Sequence, residues 1–204
     1  MALDFFIPMK IESIVLEGEA VKLAPLEMKY LDELYEAASD ESLWLWTMDI
    51  IKSKDDLRRY VETALDEQTR KVSLPFVTIE KSSNKIVGST RFGNVDVKNR
   101  KTEIGWTWIN PRWQRSVVNT EAKLLMLSHA FEIWDCVRVE LKTDALNEKS
   151  RTAISRLGAK EEGILRRHLI TDAGRFRDTV YFSIIDSEWQ TVKANLNEKL
   201  RSFQ

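Results

Sequence analysis

The chain of 204 residues is long enough for one well-buried domain and short for two. Lysine and arginine together number 31 against 32 aspartate and glutamate, so no net positive charge favours nucleic acid or an anionic membrane as the main partner. One cysteine, Cys136, and two histidines exclude an internal disulfide and a site built from several thiolates, and we expect no metal centre.

The beginning of the sequence, MALDFFIPMK, lacks the basic start and the long apolar core of a signal peptide. The longest uncharged runs are also too short to span a membrane. Because a lone cysteine suits a reducing compartment, these features together predict a cytoplasmic protein.

The first part of the chain predicts one strand and two helices. Residues 19–26 alternate between apolar and polar side chains, which is typical of a strand. Residues 28–39 and 53–71 each carry an apolar stripe at helical spacing. The second of these helices opens with Ser53 and Asp56, which have the spacing of a capping box.

The middle of the chain changes to a period of two. Three such stretches, 74–81, 86–96 and 102–110, are separated by short polar turns and predict an antiparallel meander. Residues 119–134 then return to helical spacing and predict a strongly amphipathic helix.

The last part of the chain predicts a buried strand at 136–145 and a short helix that ends at Gly158. Residues 160–185 then form a hairpin around a polar turn. The terminal helix, 186–200, is expected to pack through Trp189, Val192 and Leu196.

Four motifs along the chain carry a resemblance to a known family. They are EIGWTWINPRWQ (103–114), VNTEAKLLMLSHAFE (118–132), NEKSRTAISRLGAKEEG (147–163) and RDTVYFSIIDSEW (177–189). In their order and spacing they resemble the GCN5-related N-acetyltransferase (GNAT) superfamily, and in particular its branch of ribosomal-protein N-terminal acetyltransferase-like proteins. The resemblance spans roughly residues 19–200.

The resemblance implies a single α/β domain. Its central sheet is mostly antiparallel, with two splayed parallel strands and flanking helices. We expect an N-terminal extension at residues 1–18 and the N-acetyltransferase domain at 19–204.

By the same resemblance, acetyl-coenzyme A is the co-substrate and a primary amine is the acceptor, for example the α-amine of a protein N-terminus. Two alternatives stay open: an acyl-coenzyme A-binding or regulatory protein without turnover, and an acetyltransferase for a small-molecule amine such as a polyamine or an antibiotic. We expect either a monomer or a homodimer.

The turn before the central helix departs from the family pattern, Gln/Arg-x-x-Gly-x-Gly/Ala, because it contains no glycine. The first turn of a helix nevertheless exposes free N–H groups and the positive end of a dipole, which together hold a pyrophosphate. This works if the backbone stays right-handed, the valines point into the core, and Ser116 or Asn119 caps the helix. The segment expected to bind the cofactor is Gln114, Arg115, Ser116, Val117, Val118 and Asn119.

Arg115 stands in the place of a family glycine, and two interpretations of its side chain are open. It contacts a phosphate of the cofactor, or it is a solvated surface group.

The resemblance also places the pantetheine arm between the splayed strands, at 102–109 and 137–143, where backbone groups of Trp108, Ile109 and Asn110 would bind it. Many relatives have a tyrosine four residues before the glycine of the late helix, and this chain has Ile154 there.

The ribosomal branch has a serine eight residues before that glycine. Ser150, at this position, is therefore expected to hydrogen-bond the cofactor sulfur. Asn147 either contacts the pantetheine or caps the helix.

Alternation along residues 102–109 places Glu103, Gly105, Thr107 and Ile109 on one side, with Ile104, Trp106 and Trp108 on the other. Glu103 is then either the base that deprotonates the amine or part of a cross-strand salt bridge. His168 is a second candidate near the acceptor, although a lone histidine in a strand is often structural or exposed. The residues expected to bind the acceptor are Trp44, Trp46, Trp106 and His168.

Overall fold

The computed structural model describes residues 9–203 and contains one sheet of eight strands with five α-helices in that range. The strands are β1 (Leu16–Glu17), β2 (Val21–Pro25), β3 (Leu74–Glu80), β4 (Lys85–Asp96), β5 (Lys101–Ile109), β6 (Arg138–Asp144), β7 (Lys160–Ile170) and β8 (Phe176–Ile185). The helices are α1 (Leu31–Ala37), α2 (Lys54–Thr69), α3 (Val117–Ser128), α4 (Glu148–Leu157) and α5 (Asp186–Arg201). A π-helical turn at His129–Ile133 continues α3. None of the described helices is long and apolar enough to cross a membrane.

The sheet has the order β1-β2-β3-β4-β5-β6-β8-β7. Neighbouring strands are antiparallel except for β5 and β6, which are parallel. These two strands pair over only three positions, the last being Glu103 opposite Glu140. Beyond that point each strand continues without the other, so they part. The predicted α/β fold with two splayed parallel strands is confirmed.

Each face of the sheet is covered by its own helices and apolar cluster. Helices α3, α4 and α5 pack on one face with Leu23 and Phe76, and helices α1 and α2 pack on the other with Ala24 and Val77. Consecutive strand residues therefore enter different clusters, as the period of two predicts. We call these sides the α3 face and the α2 face.

A bulge in β5 reverses the predicted alternation. Between Gly105 and Trp108 this strand has one more residue than β4 opposite it, and Trp106 has φ 48°. The expectation that Ile104, Trp106 and Trp108 share one side is therefore wrong. Ile104 packs on the α3 face, whereas both tryptophans pack on the α2 face, because an extra residue shifts everything after it to the opposite side.

Helix boundaries follow the predicted signals. Ser53 and Asp56 form both hydrogen bonds of the capping box at the start of α2. Gly158 ends α4 in the left-handed conformation, with φ 99°. The three apolar residues predicted for the terminal helix are buried in α5.

The described part of the expected extension, residues 9–18, lies against the domain; residues 1–8 are outside the described range. Met9 is buried in the α3-face cluster, and the carbonyl of Lys10 accepts a hydrogen bond from Trp134 Nε1. Leu16 begins the short strand β1, which pairs with β2 and was not predicted.

Candidate functional site

Helix α3 begins with backbone N–H groups that are free to bind a ligand. Ser116 is the N-cap, and its hydroxyl accepts a hydrogen bond from the Val118 N–H at 3.3 Å. The N–H groups of Ser116, Val117 and Asn119 have no hydrogen-bond acceptor among residues 9–203. These amides and the positive end of the helix dipole are what an anion requires.

The turn into α3 is not right-handed throughout. Arg115 has φ 57°, so the condition that the backbone stays right-handed is not met at this position. The residue that stands in the place of a family glycine thus adopts the conformation that glycine favours. Its side chain is exposed, and no ion pair to it occurs within the described residues. Val118 is buried and Val117 half-buried.

We expect Arg115→Gly to be more stable than Arg115→Ala. A left-handed conformation costs a residue with a side chain about 1–2 kcal/mol, which glycine avoids, although glycine loses part of this gain through its more flexible unfolded chain. The expected difference in the free energy of unfolding is about 1 kcal/mol. Urea denaturation of both variants measures this difference. If Arg115→Ala were as stable as Arg115→Gly, the left-handed backbone at residue 115 would not be strained.

The gap between the parted strands exposes one edge of β5. After Glu103, strand β6 no longer covers β5, and Thr107 in this stretch is exposed. The Asn110 N–H donates to Val87 of β4, so the groups of Ile109 point to the opposite, open edge. The Ile109 carbonyl there accepts a hydrogen bond from Gln114 Nε2 at 2.9 Å.

Asn110 is already fully engaged by the protein. Its N–H bonds to Val87, and its carbonyl accepts from Trp113. Its side chain accepts from the Arg112 N–H and donates to the Ala37 carbonyl. Asn110 is therefore less suited than Ile109 to bind the cofactor. Trp108 is buried, and its backbone N–H and C=O groups point toward β4. Of the three residues expected to bind the pantetheine, Ile109 is therefore the one whose backbone groups face the open edge.

Helix α4 starts beside this gap with a side-chain cap. Asn147 Oδ1 accepts a hydrogen bond from the Ser150 N–H at 3.0 Å, so the capping role of Asn147 is present. The Ser150 hydroxyl has no partner within residues 9–203 and is half-buried. Ile154, one turn later, is buried in the α3-face cluster and has no proton to give.

Glu103 lies where β5 and β6 part. Its Oε2 accepts hydrogen bonds from Lys142 Nζ at 2.9 Å and from Asn94 Nδ2 at 2.8 Å, and the residue is buried. Lys142 also contacts Glu140 at 3.1 Å. The cross-strand salt bridge, one of the two interpretations of Glu103, is therefore formed.

The four residues expected at the acceptor occupy different environments. Trp44 is a core residue rather than a wall of the cleft, because its Nε1 donates to the Ala38 carbonyl and its ring packs on Trp108. Trp46 is half-buried, and the Arg175 guanidinium lies 5.4 Å from its ring centroid.

Trp106 and His168 both lie partly open to solvent. The Trp106 ring stacks against the buried Arg91 guanidinium, 4.8 Å from its centroid. The His168 ring lies 5.7 Å from that of Tyr181, and its Nδ1 is buried without a partner among the described residues.

Two charged residues at the site were missed in the sequence. Arg91 is buried on the α2 face and pairs with Glu67 at 2.9 Å. Lys123 is buried on the α3 face beside Thr107. The signal for Lys123 is a lysine in a helix that is buried nearly all round, where charged side chains are rare.

A mostly antiparallel sheet with parted parallel strands, beside a helix whose first amides are free, defines a cofactor-binding acetyltransferase fold. The sequence profile described as "Acetyltransferase (GNAT) domain" matches residues 21–160. The chain belongs to the GNAT acetyltransferase family, whose enzymes use acetyl-coenzyme A as co-substrate.

Individual relatives agree with this assignment. A GCN5-related N-acetyltransferase from Brucella melitensis is 31% identical, with a TM-score of 0.88 over 97% of this chain and 90% of that one. The "Putative ribosomal N-acetyltransferase YdaF" of Bacillus subtilis (strain 168) is 35% identical over 108 residues, which are 53% of this chain and 58% of that protein. The "Uncharacterized N-acetyltransferase p20" of Bacillus licheniformis is 23% identical over 84% of this chain and 96% of its own length.

Proposed function

We propose that this protein transfers the acetyl group of acetyl-coenzyme A to a primary amine, and that the acceptor is the α-amine of a protein N-terminus. The observation that carries the proposal is the set of free N–H groups at the start of α3, next to the gap between β5 and β6. A helix N-terminus of this kind suits a pyrophosphate, and an open strand edge suits the extended pantetheine arm.

The proposed contacts follow the groups that have no protein partner. The pyrophosphate is held by the amides of Ser116, Val117 and Asn119, and the exposed Arg115 side chain adds a charge-assisted contact. The pantetheine lies along the open edge at Ile109, with Gln114 bridging the strand end to the turn. Val118 contributes packing only, because its amide bonds to the Ser116 cap.

When bound, acetyl-coenzyme A supplies an activated acyl group for direct attack by the amine. The half-buried Ser150 hydroxyl, at the first turn of α4, is proposed to hydrogen-bond the cofactor sulfur. Asn147 fixes this turn through its bond to the Ser150 N–H. On the acceptor side we propose Trp46, Trp106 and His168 as contacts.

The state of Glu103 favours an acceptor that needs little help in losing a proton. Its Oε2 already accepts hydrogen bonds from Lys142 and Asn94, so this oxygen is engaged within the protein and is not free to contact the amine. An N-terminal α-amine has an ordinary pKa of about 7.7–8.0 and is partly neutral at pH 7, whereas lysine, at about 10.4, is not. The name of the Bacillus subtilis relative, "Putative ribosomal N-acetyltransferase YdaF", supports a protein as the acceptor.

The proposal is tested in two steps. First, acetyl-coenzyme A at 100 times its Kd should raise the melting temperature by about 5–10 °C. Then thiol release is followed with three acceptors: a short peptide with a free N-terminus, the same peptide with a blocked N-terminus and a lysine, and spermidine.

We expect the free N-terminus to react fastest. A fastest reaction with spermidine would support the small-molecule alternative instead. A melting shift without thiol release from any amine would support a binding or regulatory protein. No shift at millimolar acetyl-coenzyme A would remove the proposal.

A further inference from the structure

Lys123 is a buried lysine without a carboxylate partner. The residue is 4% exposed. Its Nζ donates hydrogen bonds to Thr107 Oγ1 at 2.6 Å and Thr90 Oγ1 at 3.1 Å. No carboxylate oxygen lies within 4.0 Å of it in the part of the chain that the structure describes. Burying an ammonium group that has only hydroxyl partners costs free energy, so a lysine at this position suggests a functional role.

Charged groups on the elements around Lys123 have partners elsewhere. Glu121, on the same helix, accepts hydrogen bonds from three backbone amides at 19–21. Glu103, which precedes the bulge in β5, is paired with Lys142 of β6. Other pairs on neighbouring elements include Arg91 of β4 with Glu67, Lys101 of β5 with Glu140, Glu188 of α5 with Lys160, Glu132 with Lys193 of α5, and Glu17 of β1 with Lys81. Burial alone lowers the pKa of Lys123, to about 7.

Thr107 connects this lysine to the gap between the strands. It follows the bulge of β5, and its hydroxyl lies 2.7 Å from that of Thr90 and on the α3 face with Lys123. Thr107 itself is exposed where β6 no longer covers β5. The Thr107 side chain thus contacts the buried ammonium and also borders the open gap, and its hydroxyl lies 3.3 Å from the Gly105 carbonyl oxygen.

We propose that Thr107 donates a proton to the sulfur of the departing coenzyme A and that Lys123, as the positioning residue behind it, replaces that proton. The inference rests on the proposed acetyl transfer. The amine nitrogen bonds to the acetyl carbon and the carbon–sulfur bond breaks. The thiolate takes the Thr107 hydroxyl proton, Thr107 takes one from the Lys123 ammonium, and solvent later returns it. The proton lost by the new amide goes to solvent.

The energetics of this transfer agree with the environment of Lys123. A general acid works best when its pKa lies near the working pH, and burial brings this ammonium to about 7. An ordinary thiol has a pKa near about 8.5, so proton transfer to the thiolate is downhill from Lys123 and uphill from an ordinary lysine at about 10.4. A donor besides Ser150 is needed because the buried Ile154 stands in the place of the usual tyrosine, and the Ser150 hydroxyl has no partner among the described residues that could replace its proton.

The test titrates the thiol of coenzyme A bound to four proteins, through its thiolate absorbance. They are the wild type, Lys123→Met, Thr107→Val and Thr107→Ser. In the wild type and in Thr107→Ser we expect a thiol pKa about 1–3 lower than that of free coenzyme A, because a hydrogen bond and a positive charge favour the thiolate. In Lys123→Met and Thr107→Val we expect a thiol pKa closer to that of free coenzyme A, because only the proposed Ser150 hydrogen bond to the sulfur remains.

Equal values in all four proteins would overturn the inference while leaving the proposed acetyl transfer intact. Failure of the wild type to bind coenzyme A would instead remove the proposed function. With the free N-terminal peptide, kcat should fall about a hundredfold in Thr107→Val, with KM for acetyl-coenzyme A nearly unchanged. An unchanged kcat, or one not rescued in Thr107→Ser, would also count against the relay.

Folding stability provides an independent measurement on Lys123. Its pKa is about 7 in the folded protein and about 10.4 when unfolded, so the unfolded chain binds more protons between these values. The wild type should therefore gain stability relative to Lys123→Met as pH rises from about 7 to 10. If the free energies of unfolding of the two proteins changed with pH in parallel, Lys123 would not take up a proton on unfolding. That result would contradict a lowered pKa of Lys123 in the folded protein and with it the proposed proton donor.

Discussion

Replacing Val117 with proline is expected to weaken the affinity for acetyl-coenzyme A by about tenfold to a hundredfold and to leave the stability of the free protein nearly unchanged. Val117 is the first residue of α3, the position at which helices accept proline. Its N–H has no acceptor in residues 9–203, so the free protein loses no hydrogen bond. Ser116 before it is extended, with φ −109° and ψ −177°, as a residue preceding proline requires.

The loss in affinity follows from one missing contact to a charged ligand. A hydrogen bond to a charged group contributes about 1.5–3 kcal/mol, and each 1.4 kcal/mol is a factor of ten in Kd. Val117→Ala is the matched control, since it shortens the side chain and keeps the N–H. Calorimetric titration with acetyl-coenzyme A should separate the two variants. Equal affinity in both would show that this amide does not touch the cofactor.

Much of the fold is readable from the sequence because each long element buries a face with a fixed period. Strands β3, β4 and β8 alternate between two covered faces, so their limits follow from apolar spacing and polar turns. Gly158 is similarly informative. Residue 158 has a left-handed conformation, which glycine adopts most easily. A Cβ at this position would also lie 3.1 Å from a Val192 methyl group, so glycine fits best at the end of α4.

The bulge in β5 could not be read in the same way. The letters TEIGWTWIN keep alternating through the site, and a tryptophan is an uncommon residue for positive φ. The bulge is stabilised by contacts with residues that are distant in the sequence. The Tyr60 hydroxyl lies 3.4 Å from the Trp106 carbonyl, and Arg91 stacks on the Trp106 ring from the α2 face. On the α3 face, Lys123 holds Thr107.

The same distinction applies to the candidate site. The start of α3 and the Asn147 cap are local features. Ser116 was one of two caps expected for α3, and capping was one of two roles expected for Asn147. The partner of Glu103 is Lys142, 39 residues away on a parallel strand, so the sequence left the salt bridge and the base as equal alternatives. Lys123 and Glu121 were not identified from the sequence, because their partners lie far away along the chain.

Glu121→Ala is expected to reduce the free energy of unfolding by about 3–5 kcal/mol. The buried carboxylate accepts hydrogen bonds from the N–H groups of Glu19, Ala20 and Val21 at 2.9, 2.8 and 2.6 Å. Without it, three amides at and just before the start of β2 lose their acceptor, and that of Val21 is buried. The melting temperature should fall by roughly 6–20 °C, measured by circular dichroism.

Glu121→Gln keeps the shape and one acceptor oxygen, so its loss should be smaller. Gly18→Ala provides a second test, because a Cβ at residue 18 would lie 2.5 Å from the Glu121 carboxyl carbon. Removing the carboxylate makes room for that methyl group, so the double variant should be more stable than the sum of the two single losses predicts. Strictly additive losses, or a loss of less than about 1 kcal/mol in Glu121→Ala, would contradict the proposed stabilisation of residues 19–21 by the Glu121 carboxylate.

Glu121 also lies one turn from the free amides of α3. Its replacement should therefore weaken acetyl-coenzyme A binding, because the start of the helix is no longer attached to β2.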